Sequence, residues 1–112
     1  MKKSTSAPVA CDMTVFDPNE REAHQALLKK LLSRALTREV RGTKRALKLP
    51  YERELFVDAA VWIADESRCC PFFGFNLRVE SAADFFWLEI DAPPEAQGII
   101  DAGLAAARAG KT

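Results

Sequence analysis

The chain has 112 residues, of which 48% are hydrophobic and 29% charged, with five glycines and six prolines. This is the composition of one ordinary globular domain, and it argues against disordered, fibrous and membrane-spanning classes. Sixteen Lys and Arg side chains balance sixteen Asp and Glu side chains, so net charge does not favour a nucleic acid or an anionic membrane as an obligatory partner. The charges are nevertheless separated. Residues 29–48 hold eight cationic side chains and one carboxylate, whereas residues 49–112 hold five cationic and eleven acidic ones.

The first ten residues predict a flexible N-terminal tail in front of a single domain at residues 11–112. They begin Met-Lys-Lys but lack the apolar run of about 7–15 residues that a signal peptide needs. Cys11, Cys69 and Cys70 are an odd number of cysteines, whereas secreted disulfide frameworks use even numbers. We therefore expect a cytoplasmic protein with reduced thiols and no membrane segment.

Two helices and one strand are predicted in the first part of the domain. Residues 17–20, Asp-Pro-Asn-Glu, have the pattern of a capped helix start, and apolar residues follow at helical spacing as far as Leu36. Residues 38–49 lose that period, and we predict one strand there, near a sheet edge where interspersed charge discourages pairing with another chain. A second helix is predicted from about residue 51 to residue 68, ended by Pro71.

A hairpin and a last helix complete the predicted fold. Alternating apolar and polar side chains predict a strand at residues 73–79. A turn at residues 81–84 leads to a partner strand at residues 85–91, in which Phe86, Leu88 and Ile90 face one way. A Pro-Pro pair then opens the last helix. The element order α-β-α-β-β-α predicts the α+β class, with helices packed on a small antiparallel or mixed sheet.

Two aromatic side chains of the hairpin indicate how the second face of the sheet is covered. Phe85 and Trp87 alternate with the apolar core positions, so they point to the second face of the sheet. Exposed aromatic patches commonly mark interfaces. We therefore expect a terminal helix or the second subunit of a homodimer to cover them.

Adjacent cysteines followed by Pro-Phe, at the junction of the second helix and the hairpin, are the least common feature of the sequence. Thiolates are good ligands for soft ions such as Zn²⁺, Cu(I) and Hg²⁺. Consecutive helical side chains point about 100° apart, so both sulfurs reach one ion only where the chain turns sharply. The most specific prediction is a soft metal ion as cofactor at Cys69 and Cys70, with Cys11 and then His24 as candidate additional ligands.

The same stretch carries a resemblance. Residues 66–75, Glu-Ser-Arg-Cys-Cys-Pro-Phe-Phe-Gly-Phe, with the helix before and the hairpin after, resemble a group of small bacterial proteins with a Cys-Cys-Pro-Phe signature at the same kind of junction. The resemblance covers about residues 51–92. No activity is established for that group, so the resemblance implies no catalytic residue.

The cysteine pair also has a structural interpretation. Free cysteine is a small hydrophobe that is often buried, so the Cys-Cys-Pro-Phe stretch can simply end the helix and pack the hairpin of a homodimeric interaction module. His24 shares an apolar stripe with neighbouring leucines, which is typical of a hydrogen-bonded core histidine. A redox switch between Cys69 and Cys70 is disfavoured, because adjacent Cα atoms are about 3.8 Å apart, below the usual disulfide range. We predict no catalytic residue, and the sequence favours a binding protein over an enzyme.

The basic segment favours a further, weaker alternative. Arg41, Lys44, Arg45 and Lys48 are candidates for binding phosphate-rich ligands through charge. No aromatic residue is interleaved in residues 29–48, so base stacking is not predicted and nucleic acid is not the expected partner. The competing interpretation is that this segment pairs with the acidic second half, within the chain or across a dimer.

Overall fold

A computed structural model describes residues 11–80 and 82–109. These residues form three α-helices and four strands: α1 (Pro18–Arg34), β1 (Thr37–Arg41), β2 (Lys44–Pro50), α2 (Arg53–Cys69), β3 (Gly74–Val79), β4 (Phe85–Asp91) and α3 (Gln97–Ala109). The α+β class is confirmed, and the element order is α-β-β-α-β-β-α. The predicted tail at residues 1–10 lies outside the described residues.

The basic segment forms a hairpin, which corrects the single strand predicted at residues 38–49. Arg41 pairs with Lys44, so the turn between β1 and β2 consists of two residues. Gly42, the first of them, has φ 61°. Two-residue hairpin turns require positive φ, and glycine adopts it without a steric penalty from Cβ. Gly42 therefore lies in the turn that joins two strands.

The four strands form one antiparallel sheet in the order β1-β2-β4-β3. Leu88 in the central strand β4 lies opposite Leu47 on one side and Leu77 on the other. The helices supply the rest of the core on this face of the sheet. The largest fully buried apolar side chains are Leu31, Leu47, Leu49, Leu55, Phe86, Leu88 and Ile90.

Cationic side chains of the same chain cover the aromatic residues on the second face, where a terminal helix or a second subunit was expected. Trp87 is only 8% exposed. The guanidinium carbons of Arg41 and Arg78 lie 4.4 and 5.9 Å from its ring centroid. Lys48 Nζ lies 4.2 Å from the ring centroid of Phe85. Such cation–π contacts satisfy an aromatic face without a partner protein, so these two residues do not require a dimer, and the homodimer stays a prediction.

The predicted start of α1 is confirmed, and it positions the histidine. Asp17 Oδ1 accepts a hydrogen bond from Glu20 N at 2.8 Å, and Glu20 Oε1 accepts one from Asp17 N at 3.0 Å. This reciprocal capping box satisfies two backbone donors that have no partner within the helix. Because the box fixes where α1 begins, His24 falls on the face that packs against α2.

Candidate metal centre

The carboxyl end of α2 places the two adjacent sulfurs side by side. Cys69 is the last helical residue, and Cys70 N closes the final turn with a 2.8 Å hydrogen bond to Glu66 O. The backbone of Cys70 then leaves the helical region before Pro71, as the proline predicts. Cys69 Sγ and Cys70 Sγ are 3.5 Å apart. The sharp turn that a shared ion requires is therefore present.

The third cysteine is bonded to this junction. Cys11 and Cys70 form a disulfide with an S–S distance of 2.00 Å. Next to it, Asp12 N donates a 2.8 Å hydrogen bond to Cys69 O, which holds the N-terminal segment against the end of α2. Cys69 keeps a free, buried thiol. The structure thus differs from the expectation of three reduced thiols, and the bridge uses a cysteine 59 positions away rather than the adjacent one.

The carboxylate of Glu66, which is not among the ligands predicted from the sequence, lies beside the sulfurs. Cys11, Cys69, Cys70 and Glu66 each offer a ligand atom, and these atoms all lie within 4.8 Å of one another. Glu66 precedes Cys69 by three positions, which puts both side chains on the same side of a helix. That spacing was the available signal, but in an acidic half of the chain a carboxylate is more readily explained as a solubilising residue.

His24 lies behind the carboxylate rather than among the four ligand atoms. Its Nε2–H donates to Glu66 Oε1 at 2.7 Å, since a carboxylate oxygen only accepts. The imidazole is 6% exposed and packs between Phe16 and Trp62, with ring centroids 5.0 and 6.0 Å away. This placement matches the hydrogen-bonded core histidine of the alternative interpretation. It also fixes the Glu66 side chain, as groups behind metal ligands commonly do.

A cavity of about 590 Å³ adjoins this cluster. Cys11, His24, Glu66 and Cys69 contribute to one part of its wall. Most of the remaining wall is apolar and comes from all three helices and the sheet. It includes Met13, Leu28, Trp62, Phe73, Ile100 and Leu104. The thiol cluster is therefore bordered by space that favours apolar atoms.

Burial controls the acidity of the free thiol. Removal from water, followed by the charge of Glu66 and the hydrogen bond that the thiol donates to it, raises the pKa of Cys69 to about 12. The Cys69 S–H donates to Glu66 Oε1 at 3.8 Å. The thiol is therefore protonated at neutral pH, in agreement with the sequence argument that the acidic surroundings and the end of a helix disfavour a thiolate.

We expect Cys69 in the oxidised protein to react with iodoacetamide at pH 7 at least about a hundredfold more slowly than the same thiol in urea, because the thiolate is the nucleophile and the folded pKa is about 12. Mass spectrometry of alkylated peptides over time measures both rates. Glu66→Gln keeps the burial but removes the charge, so it should speed the reaction of the folded protein. Equal rates in folded and unfolded protein would contradict the burial argument.

Two of the four predicted phosphate-binding residues are engaged with carboxylates of the second half. Arg45 is 9% exposed and donates two hydrogen bonds to Asp101, Nε to Oδ1 at 2.7 Å and Nη2 to Oδ2 at 3.0 Å. Arg41 Nη1 donates to Glu89 Oε2 at 3.1 Å. Both contacts are those of the competing interpretation, in which the basic segment pairs with acidic residues of the same chain.

The other two predicted phosphate ligands lie on the second face of the sheet. Lys48 covers the ring of Phe85. Lys44 lies opposite Asp91 on β4. Phosphate binding stays a prediction, and it would compete with these existing contacts.

Comparisons with known proteins identify no protein similar to this chain. No protein-family model matches the chain, and searches of curated proteins and of solved structures find no match. None of the described helices is long and apolar enough to cross a membrane. The resemblance to small bacterial proteins with a Cys-Cys-Pro-Phe signature remains a prediction.

Proposed function

We propose that the protein binds a soft metal ion, of the Zn²⁺, Cu(I) or Hg²⁺ type, when the Cys11–Cys70 disulfide is reduced. The observation that carries the proposal is the set of three sulfurs and one Glu66 oxygen within 4.8 Å of one another. A tetrahedral ion with metal–sulfur bonds of about 2.3 Å holds its sulfurs about 3.8 Å apart. Cys69 and Cys70, at 3.5 Å, need little movement to reach that spacing.

Reduction is required because the disulfide occupies two of the three thiols. Two electrons and two protons convert it to two thiols, and each metal-binding thiol then releases a proton. The backbone hydrogen bond from Asp12 to Cys69 does not depend on the disulfide, so it favours retention of Cys11 near the cluster. The cytoplasm, where we predict the protein to be, keeps thiols in this reduced state.

His24 acts on this site as a positioning residue. Its hydrogen bond to Glu66 leaves the other carboxylate oxygen and the remaining lone pairs for an ion. Its packing between two aromatic rings restricts the imidazole, and therefore the carboxylate. Replacement of His24 is expected to weaken binding without abolishing it, by about 10–100-fold as for other groups behind metal ligands.

Titration of the full chain with Zn²⁺ tests the proposal. After reduction with a phosphine, native mass spectrometry is expected to show one ion per chain, and competition with a chromophoric chelator gives the affinity. The oxidised protein has a single free thiol, so we expect it not to retain Zn²⁺. Affinity of the reduced protein should rise with pH, because a thiol with a pKa of about 12 must lose its proton to bind.

Single replacements of the cysteines by serine supply the controls. Cys11→Ser changes a half-buried residue outside the sheet and helices, and it should lower affinity even where circular dichroism is unchanged. Arg53→Ala removes an exposed charge at the opposite end of α2 and should bind as the wild type does. Equal retention of Zn²⁺ by oxidised, reduced and Cys11→Ser proteins would overturn the proposal.

A structural role for the Cys-Cys-Pro-Phe stretch is the second candidate, and burial favours it. Cys69 and Cys70 are 1% and 0% exposed, and both belong to the main hydrophobic core together with Phe73. In this interpretation the stretch ends α2, packs the hairpin and anchors residue 11. It predicts that the reduced protein binds no Zn²⁺ and that all three cysteine replacements act on stability alone.

A further inference from the structure

We propose that the cavity beside the thiols selects soft metal cations that carry one small apolar organic group, such as an arylmercury cation. This inference rests on the proposed thiol site and names a class of ligand for it. A bare ion contacts only the ligand atoms and makes no contact with the apolar wall of the cavity. A cation with an organic group contacts both, since its metal binds sulfur while its organic group is buried against the apolar wall.

The size and lining of the cavity fit such a group. An engineered cavity of about 150 Å³, lined by Leu, Ile and Phe, is large enough to hold benzene. The present cavity measures about 590 Å³ and has Leu28, Trp62, Phe73 and Leu104 in its wall. Cys69 lines the same cavity, so a metal bound to its sulfur carries the organic group directly into this space.

The exchange at Cys69 balances without oxidation or reduction. When phenylmercury acetate is the source, the bond from mercury to acetate oxygen breaks and a bond from mercury to Cys69 Sγ forms. The thiol proton leaves toward Glu66 Oε1, which already accepts it as a hydrogen bond at 3.8 Å, and from there to water. Acetate departs with the electron pair of its former bond to mercury. A cation with one open position needs one thiolate, so Cys69 can bind it with the disulfide intact.

Phenylmercury and methylmercury form a matched pair of probes, because they share the thiol chemistry and differ in the apolar group. Each is titrated into the oxidised wild-type chain in competition with iodide, which binds both cations without reducing the disulfide, and native mass spectrometry counts the bound species. A parallel titration of glutathione against iodide corrects for the intrinsic thiol preference of each cation. Burial of a phenyl rather than a methyl group is expected to favour phenylmercury by at least about tenfold.

Two glycines of α3 supply a variant and its control. A Cβ built on Gly103 or on Gly98 meets no atom within 4 Å, so a side chain fits at either position. Gly103 lines the cavity, whereas Gly98 does not. Gly103→Leu should weaken phenylmercury binding and remove the tenfold preference, whereas Gly98→Leu, outside the cavity, should retain both the binding and the preference. Ala106→Leu, also on the cavity wall, repeats the test if Gly103→Leu is unstable.

The results of these titrations distinguish failure of the cavity inference from failure of the proposed thiol site. Methylmercury binding to the oxidised chain that survives Cys69→Ser would show that Cys69 is not the attachment point and would overturn this inference, whereas Zn²⁺ titration of the reduced protein tests the thiol site itself. Methylmercury binding that needs Cys69, with no preference for phenylmercury, would overturn the cavity inference and leave the thiol site standing. A phenyl preference that Gly103→Leu and Ala106→Leu both leave intact would also overturn it.

Discussion

Replacing Cys11 with serine is expected to lower the free energy of unfolding of the oxidised protein by about 2–4 kcal/mol. The disulfide joins residues 59 positions apart, and a cross-link over a loop of this length removes much conformational freedom from the unfolded chain. Cys11 is only half-buried, so the change leaves the core packing largely in place. Urea unfolding of the two proteins, followed by circular dichroism without reductant, measures the difference.

The same urea unfolding experiments are then repeated in the presence of a reductant. Wild-type protein should lose about the same 2–4 kcal/mol when reduced, whereas Cys11→Ser should be insensitive to reductant. Cys69→Ser keeps the disulfide and should therefore retain the reductant-dependent part, whatever the cost of the change itself. If reductant destabilises Cys11→Ser as much as the wild type, the cross-link between residues 11 and 70 is not the source of the stability.

Glu89→Ala is expected to destabilise the protein by roughly 2–3 kcal/mol, the range for hydrogen bonds to a charged, mostly buried group. Glu89 is 7% exposed. It accepts from Asn76 Nδ2 at 2.9 Å, from Arg41 Nη1 at 3.1 Å and from Arg78 Nη2 at 3.4 Å. Both arginines are more than a third exposed and regain water when the carboxylate is lost, so the cost stays below that of breaking a fully buried pair.

Glu80 offers the control, because it pairs with the same Arg78 but is half-exposed. Glu80→Ala should lower the free energy of unfolding by about 0–1 kcal/mol.

The pH dependence of stability gives a second test of the role of Glu89. Hydrogen bonds, first from Asn76 and then from Arg78, lower the pKa of Glu89 from its ordinary 4.5. The stability it supplies is therefore present above pH 4.5 and is lost as pH falls through the folded pKa. The gap between wild type and Glu89→Gln should narrow in acid, and a gap of constant size would contradict this account.

Elements with a local signal could be predicted from the sequence. The strand at residues 85–91 has the predicted limits, since Phe86, Leu88 and Ile90 all enter the core and the prolines at 93 and 94 follow its end. The start of α1 depends on residues 17–20 alone, and the end of α2 on Pro71. β1 is exposed along its whole length, so its side chains show no alternation of buried and exposed residues to separate it from β2. The predicted single strand at residues 38–49 follows from that missing signal.

The candidate site could be predicted only in part, because its members come from distant segments. The adjacent cysteines and the turn at Pro71 are local, and the sequence places them correctly. The contact between Cys11 and Cys70 depends on the path of residues 12–16 back across the end of α2, which no spacing encodes. Glu66 becomes a candidate ligand only once His24 and the sulfurs lie around it.

The position of the disulfide also determines how the molecule responds to mechanical force. When the oxidised chain is pulled by its ends, tension entering at Cys11 passes through the covalent bond directly to Cys70. Residues 12–69, which include α1, β1, β2 and α2, then lie outside the covalent load path, so their backbone cannot be extended and extension is limited to β3, β4 and α3. Reduction places residues 12–69 in the load path as well and adds roughly 200 Å of contour length. The redox state of one bond thus decides whether a little under half or nearly all of the domain bears tension.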